Sequence, residues 1–358
     1  MNRLFLFLRR FTINIRKKSF NNKTSIALII LLNSIFINKY LFADTITDSD
    51  TETLILSSED NRLAFKEVWG YVMIGEEKSF SPDYPVTDIG YFVNAVNNFS
   101  DFVKVPKRSE SFPDFKGRVH LVSSVDSKAQ THLLLDSKFP LRNRIIKQLV
   151  EECKDYDGLQ IDWELVMKED DKNFLSFLKV LKRRLKGKML TVAIPARTKT
   201  LERDAYDYSK LSEIVDKIIV MAYDEHWSTS APGPIASMAW CKRISDYAKT
   251  VIPEDKLVMG CHFYARAWNN EDVGRKAYRM YKVDDLIKAN KVSVFKKSSE
   301  GDLSFSFEKK TTVFVYYDTV TSCKERCKMY LDNDIARLSF WRVGQENPDF
   351  WNELKIED

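Results

Sequence analysis

The 358-residue chain is 44% hydrophobic, enough for one large domain with a sizeable core or for two ordinary ones. Its formal charge of +5 misleads: residues 1–43 hold eight Lys or Arg and no acid, and from Asp44 onward 48 basic residues face 51 acidic ones, a net charge of −3. That balance offers no basis for binding nucleic acid.

The N-terminus reads as an export signal. A basic stretch precedes the apolar run Ser25–Ile37 and the segment Asn38–Ala43, with Ala43 as the last leader residue. The run is about 13 residues, short of the roughly 20 that span a bilayer. The alternative is an uncleaved anchor helped by Tyr40, Leu41 and Phe42. The expectation is a leader over 1–43 and an exported chain, periplasmic, in the cell envelope or extracellular, which meets a membrane only if the leader is kept. Residues 44–66, rich in Asp, Thr and Ser over most of their length, are expected to form a flexible linker.

From Val68 the pattern becomes strand, crossover, strand. Strands are expected at Val68–Ile74, Asp88–Val96, Arg118–Val125, a central run at Leu159, Met189–Ile194, Lys217–Tyr223, Leu257–Phe263 and Ala336–Trp341. Leu141–Glu152 is amphipathic. The best-marked helix follows the central strand: Phe174, Leu178, Leu181 and Leu185 recur at 4-3-4 spacing, and Gly187 is its natural stop. Its basic face (Lys179, Lys182, Arg183, Arg184, Lys186, Lys188) is expected to be a solvated surface. A further helix carries Cys323, Cys327 and Tyr330. No Gly-rich phosphate loop follows any strand. Eight strands with helical crossovers predict an α/β fold, a closed (β/α)8 TIM barrel over 67–268 and 313–358. Residues 269–312 break the rhythm and are expected to form a small α+β insertion after the seventh strand. The five cysteines, Cys153, Cys241, Cys261, Cys323 and Cys327, are odd in number and lack a His or Asp partner at metal-ligand spacing. They are expected to be buried or half-buried thiols, with no zinc and no essential disulfide; no cofactor is expected.

The central stretch Asp157–Glu164 alternates strictly. Gln160, Asp162 and Glu164 share one parity, and Leu159, Ile161 and Trp163 the other. A strand between crossovers is covered on both faces, and a covered face does not accept two carboxylates about 6.5–7 Å apart unless they are paired or used. In a barrel of this class the C-terminal strand ends form the site. There the chain collects Asp162 and Glu164, then Tyr223-Asp224 with Glu225, His226 and Trp227. His262 through Trp268 follow, and then Trp341-Arg342. Carboxylates with tyrosines and tryptophans suit a sugar, whose flat CH faces lie on rings while its hydroxyls need hydrogen-bond partners.

These residues resemble glycoside hydrolase family 18, the chitinase-like group. Asp157, Gly158, Asp162 and Glu164 match its DGxDxDxE strand, and Tyr223-Asp224 its M-x-Y-D. Gly260, Phe263, Tyr264, Arg266 and Trp268 match its G-x-P-F-Y-G-R-x-W, and Trp341 the tryptophan that ends its eighth strand. The matches run in family order from Val68 to Trp351. The runs MAYDEHW and SFWRVGQE also resemble a bacterial branch that acts on cell-wall and spore-cortex glycans.

The resemblance implies a retaining, substrate-assisted hydrolase of β-1,4-linked glycans containing N-acetylglucosamine: chitin, chito-oligomers or peptidoglycan. It assigns Glu164 as acid and then base, and Asp162 as the residue that orients the acetamido N–H and stabilises the oxazolinium. Tyr223 would hold the acetamido carbonyl. Asp224, Trp341, Tyr264, Arg266, Gln160 and Trp268 complete the expected substrate side, with Tyr264 and Arg266 either touching the sugar chain or bracing Asp224. Trp227 and Trp268 are sugar platforms or packing; Trp69, Trp163, Trp240 and Trp351 are packing; His226 and His262 are satisfied residues rather than ligands.

Three positions depart from the family: Gln160 for an Asp, His262 for a Pro and Ala265 for a Gly. The expectation at 160 is that the amide donates to Asp162 and holds it ionised beside Glu164, so activity persists with a shifted pH optimum. The alternative function is a chitinase-like carbohydrate-binding protein that has lost catalysis, and a weaker one is a structural envelope protein. Retention of Glu164 favours the enzyme, since non-catalytic members of the family usually replace it. A monomer is expected.

Overall fold

The computed structural model describes residues 61–357 except 94, 103, 270–275, 299–301 and 309–311. The expected leader and anchor, and the linker as far as residue 60, lie outside the described residues. The last stretch of that linker, however, is built into the fold. Leu63–Phe65 forms a short strand, β1, and Phe65 is fully buried. Three apolar residues in a row find a partner that local composition does not announce.

Eight strands close into a parallel barrel: β2 (Glu67–Met73), β3 (Asp88–Phe92), β4 (Arg118–Ser124), β5 (Gly158–Asp162), β6 (Met189–Pro195), β7 (Lys217–Met221), β8 (Leu257–His262) and β14 (Arg337–Trp341), which pairs with both β8 and β2. Most are buried along their length, as strands covered by helices on one side and by the barrel interior on the other must be. The interior is layered. At the N-terminal end His120 stacks on Trp69 with ring centroids 4.4 Å apart, and His120 Nε2 lies 2.8 Å from Asp88 Oδ1. One layer up, Gln160 Nε2 donates to Tyr71 Oη across the barrel at 2.7 Å. The polar parity of β5 therefore points along the barrel axis, not to water. Above it Tyr71, Phe92 and Trp341 pack together, with Trp341 centred 4.6 Å from Phe92 and 5.6 Å from Tyr71.

The crossover helices carry the outer core. Pro140–Glu152 opens on proline at its first turn, where the missing N–H costs nothing. Asp171–Arg184 buries Phe174, Phe177, Leu178 and Leu181, and Leu185 stays buried just past its end. The chain turns away through left-handed backbone at Lys186 (φ 48°) and Gly187 (φ 92°). Its basic face is mostly exposed, but Lys182 pairs with Asp216 at 2.5 Å and Lys188 donates to the carbonyls of Lys154 and Tyr156. Helices at Lys128–Leu135, Tyr208–Ser212, Met238–Val251 and Val320–Asp332 complete the crossovers named here. All five cysteines are buried free thiols.

The added module is wider than 269–312. A five-stranded antiparallel sheet is built from β9 (Tyr264–Asn269), β10 (Lys276–Arg279), β11 (Lys296–Lys297), β12 (Leu303–Glu308) and β13 (Thr312–Tyr317), in the order β10-β9-β13-β12-β11. The strand expected at Leu257–Phe263 ends at His262, but residues 264–268, assigned to the barrel from the sequence, do not continue it. Residues beyond it leave the barrel and pair with β10 and β13 instead. Finally β15 (Leu354–Ile356) pairs in parallel with β1, matching Leu63 to Leu354 and Phe65 to Ile356.

Candidate active site

A cavity of about 790 Å³ opens at the C-terminal ends of the strands. Asp162, Glu164, Tyr223, Asp224, Tyr264, Arg266 and Trp341 all line it. They arrive from four places in the fold, β5, β7, β9 and β14. Asp162 ends β5; Glu164 lies two residues further on, in the turn that leaves the strand. Tyr223 and Asp224 follow β7, with Asp224 at φ 60°, a left-handed conformation that Asp tolerates better than most residues. Gly260 on β8 makes room for Tyr223: a Cβ there would sit 3.0 Å from Tyr223 Cε1 and 2.9 Å from the Val220 carbonyl.

Glu164 is open to solvent at the cavity, yet enclosed enough that burial, Asp224 and Asp126 together raise its pKa. Asp162 is buried, and burial followed by the charge of Glu164 raises it well above the ordinary carboxylate range. Burial and neighbouring carboxylates thus raise both carboxyls. Burial likewise pushes the Tyr223 hydroxyl far up, keeping it a donor. Asp224 Oδ1 accepts from Tyr264 Oη at 2.6 Å and from Arg266 Nη2 at 2.5 Å, and the Arg266 guanidinium lies 5.4 Å from the centre of the Tyr264 ring. Tyr264 and Arg266 brace Asp224.

Behind this corner His262 Nε2 lies 3.0 Å from Asp318 Oδ2, and Asp318 pairs with the fully buried Arg326, which also donates to the Ala236 carbonyl. Burial would raise Asp318, but Arg326 and then His262 outweigh it and hold the carboxyl far below its usual range. Burial lowers His262 despite Asp318. Arg326 supplies the larger part of the partner charge, and His262 adds its contact with Asp318. The His262 ring packs edge-on against Tyr264 with centroids 5.3 Å apart, which links the buried ion pair to the residue that braces Asp224.

Three expectations fail. Gln160 is not at the substrate: it is fully buried beneath the cavity, and its amide donates to Tyr71, not to Asp162. Asp162 therefore receives no hydrogen bond from Gln160, and burial raises its pKa. Gln160 Oε1 and Asp162 Oδ1 are both buried without a hydrogen-bond partner. Trp268 is also no platform: it is buried against Tyr316, and its Nε1 donates to the Trp227 carbonyl at 3.1 Å. Trp227 itself is half exposed. Trp240 packs against the core as expected and also lines the cavity from the first turn of its helix. Sequence reasoning placed Arg342 at the strand-end rim without giving it a role, and it missed Asp126. Asp126 lies two residues past β4, so its position at a strand end was the available signal.

The model for glycosyl hydrolases family 18 matches residues 57–346. An uncharacterized glycosylase of Bacillus subtilis, YvbX, is 28% identical over 225 residues, 60% of this chain and 65% of that protein. A cortical fragment-lytic enzyme of Bacillus anthracis is 23% identical over 234 residues, 60% of this chain and 53% of that protein. The chain therefore spans between half and two thirds of the length of these curated relatives. Among solved structures, the spore cortex-lytic enzyme SleL of Bacillus cereus superposes with a TM-score of 0.73 at 19% identity, covering 83% of this chain and 76% of that one. A chitinase of Chromobacterium violaceum gives 0.70 at 20% identity, covering 80% and 97%. At those identities the superpositions carry the fold alone. The family match takes in all eight barrel strands, and the residues that carried the resemblance in sequence converge on one cavity: the chain belongs to glycosyl hydrolases family 18.

Proposed function

We propose that the protein is a glycosidase that cleaves β-1,4-linked glycans containing N-acetylglucosamine by a retaining, substrate-assisted mechanism. The observation that carries this reading is the pairing of Glu164, solvent-reachable with a raised pKa, with Asp162, whose buried Oδ1 lacks a partner. An acid that must protonate a leaving oxygen has to be neutral at rest, and Glu164 is biased that way by burial and two flanking carboxylates. Once the glycosidic bond breaks, the same residue is the base that activates water.

No enzyme carboxylate needs to attack, because the sugar's own acetamido oxygen reaches C1. Asp162 offers its unmatched oxygen to the acetamido N–H, and the positive oxazolinium that forms beside it favours its ionised state. The charge is then present in the transition state more than in the empty site. The Tyr223 hydroxyl holds the acetamido carbonyl, Trp341 floors the reacting sugar, and Asp224, fixed by Tyr264 and Arg266, meets a sugar hydroxyl. The N-terminal basic and apolar stretch supports export of the enzyme to where such glycans lie.

Release of the aryl group from an aryl N,N′-diacetylchitobioside tests the reading, with Glu164→Gln expected to lose at least about 100-fold in kcat. An unaltered protein that binds chito-oligomers but turns over none of them would make it a carbohydrate-binding protein.

A further inference from the structure

At the cavity wall two guanidinium groups meet over one carboxylate. Arg342 lines the cavity; its Nη1 lies 2.7 Å from Glu76 Oε2 and its Nη2 3.3 Å from Oε1. Arg279, the last residue of β10, places its Nη2 2.7 Å from the same Oε1. With its amide oriented to accept, Gln345 Oε1 lies 3.0 Å from Arg342 Nε and 3.2 Å from Nη2. The added sheet is tied here too, since Met280 N donates to the Gln345 carbonyl at 2.6 Å and Ala277 forms part of the cavity wall.

The charges do not balance. Among the described residues, the other cation lining the cavity, Arg266, has Asp224 as its partner. Arg342 shares Glu76 with Arg279, so among the described residues the cluster keeps one positive charge in a half-buried place. Burial pulls Arg342 below its ordinary value, Glu76 supports it and Arg279 pulls it down again. A guanidinium carries five N–H donors in a fixed fork. Glu76 and Gln345 do not exhaust them, and the remaining capacity sits at the wall of a sugar-sized cavity. A rigidly held guanidinium with donor capacity left over, beside a second one, is suited to a carboxylate, which it can meet by a charge-assisted hydrogen bond.

We infer that Arg342, held by Glu76 and Gln345 and reinforced by Arg279, receives a carboxylate carried by the glycan next to the reacting sugar. This rests on the glycosidase reading and narrows it from uncharged chitin to carboxylated glycans of the peptidoglycan type. Two sources offer the same chemistry there: the lactyl ether of a muramyl sugar, and a stem peptide attached to it.

Binding separates this inference from the proposed activity, because Glu164→Gln protein can bind without turnover. Isothermal titration of that variant would use four ligands of equal glycan length: a neutral chito-oligomer, a peptide-free muramyl oligomer with free lactyl carboxylates, the same oligomer with those carboxylates amidated, and one retaining its stem peptides. We expect about tenfold tighter binding of a carboxylated ligand than of the chito-oligomer, weakening as salt is raised. Loss of that preference on amidation assigns the contact to the lactyl group; tighter binding only with stem peptides assigns it to the peptide. Arg342→Gln, added to the same background, should bring the ratio close to one. Arg279→Gln, a change outside the cavity lining that leaves Glu76 to neutralise Arg342 alone, should cut it about threefold. Equal affinity for all four ligands, or a preference that survives both substitutions, would overturn the inference. Failure of the unaltered protein to hydrolyse any glycan would instead remove the glycosidase reading while the binding preference stood.

Discussion

Asp126 has no catalytic contact of its own, yet its carboxylate is one of three causes that raise Glu164, after burial and Asp224. Removing a negative neighbour makes ionisation of Glu164 easier and lowers its pKa. A general acid works only while protonated, so Asp126→Asn should move the alkaline limb of kcat/KM to lower pH. Because Asp126 is exposed, its field is screened, and the expected loss on the alkaline side is roughly two- to threefold. The pH–rate profile of the purified variant checks this; an alkaline limb that stays put would show that Asp126 does not set the acid. The same comparison shows what single residues disclose. Asp162 and Glu164 were legible because two acids on a covered strand conflict with burial. Asp126 was not, since an acid two residues past a strand looks like any loop residue until the barrel closes around it. Gln160 was misjudged for a related reason: strand parity placed it on the same face as Asp162, but not whether its amide would turn toward that carboxylate or across the barrel to Tyr71.

At the scale of elements, the seventh strand and the helix Val320–Asp332 are joined by Asp318, which stands between His262 and Arg326. A buried arginine stripped of its carboxylate is an uncompensated charge, so Asp318→Asn should cost about 3–5 kcal/mol in denaturant unfolding. The native carboxyl is held far below its usual range, whereas in the unfolded chain it titrates near the ordinary value of about 4. Its contribution to stability is therefore complete above that pH and lost progressively as pH falls below it. The wild type should lose stability between pH ~5 and ~3, and Asp318→Asn should lose markedly less over the same interval. Parallel slopes for the two proteins would show that this ion pair is not a main site of acid sensitivity. None of this was readable from the sequence, where His262 stood as a departure from the family pattern and nothing marked Asp318. The eight barrel strands were readable, because continuous burial writes an apolar run. The end of the seventh strand at Phe263 was readable too, but not that the residues after it join a second sheet: that pairing is defined only by partners in β10 and β13, and so the module's boundaries fell short at both ends.

Across the whole molecule, the two ends of the described chain meet at the barrel face opposite the cavity. β1 lies just before β2, and it pairs with β15, so Phe65 and Leu354 are buried together while Glu357 N donates to the Phe65 carbonyl. Lys66 N also donates to Ala336, the residue before β14. Composition placed residues 44–66 together as a linker because three apolar residues are too few to announce a strand; only the partner, 291 positions away, defines it. The clasp ties the first and last barrel strands where the ring closes. A chain begun at Glu67, the boundary read from sequence, would lack β1 and expose the apolar side of β15, whereas one begun at Asn61 keeps both. Burial of Leu63, Phe65, Leu354 and Ile356 is worth on the order of 3–5 kcal/mol after allowing for partial exposure of two of them. For a domain of this size that corresponds to a Tm lower by on the order of 5–10 °C. Since the clasp lies at the far end of the barrel from Glu164, kcat and the pH–rate profile at low temperature should be the same for both chains. Calorimetric melting of the two proteins decides it: equal Tm values would show that β1 is a passive extension, and a loss of kcat in the folded shorter chain would show that the clasp reaches the site through the barrel.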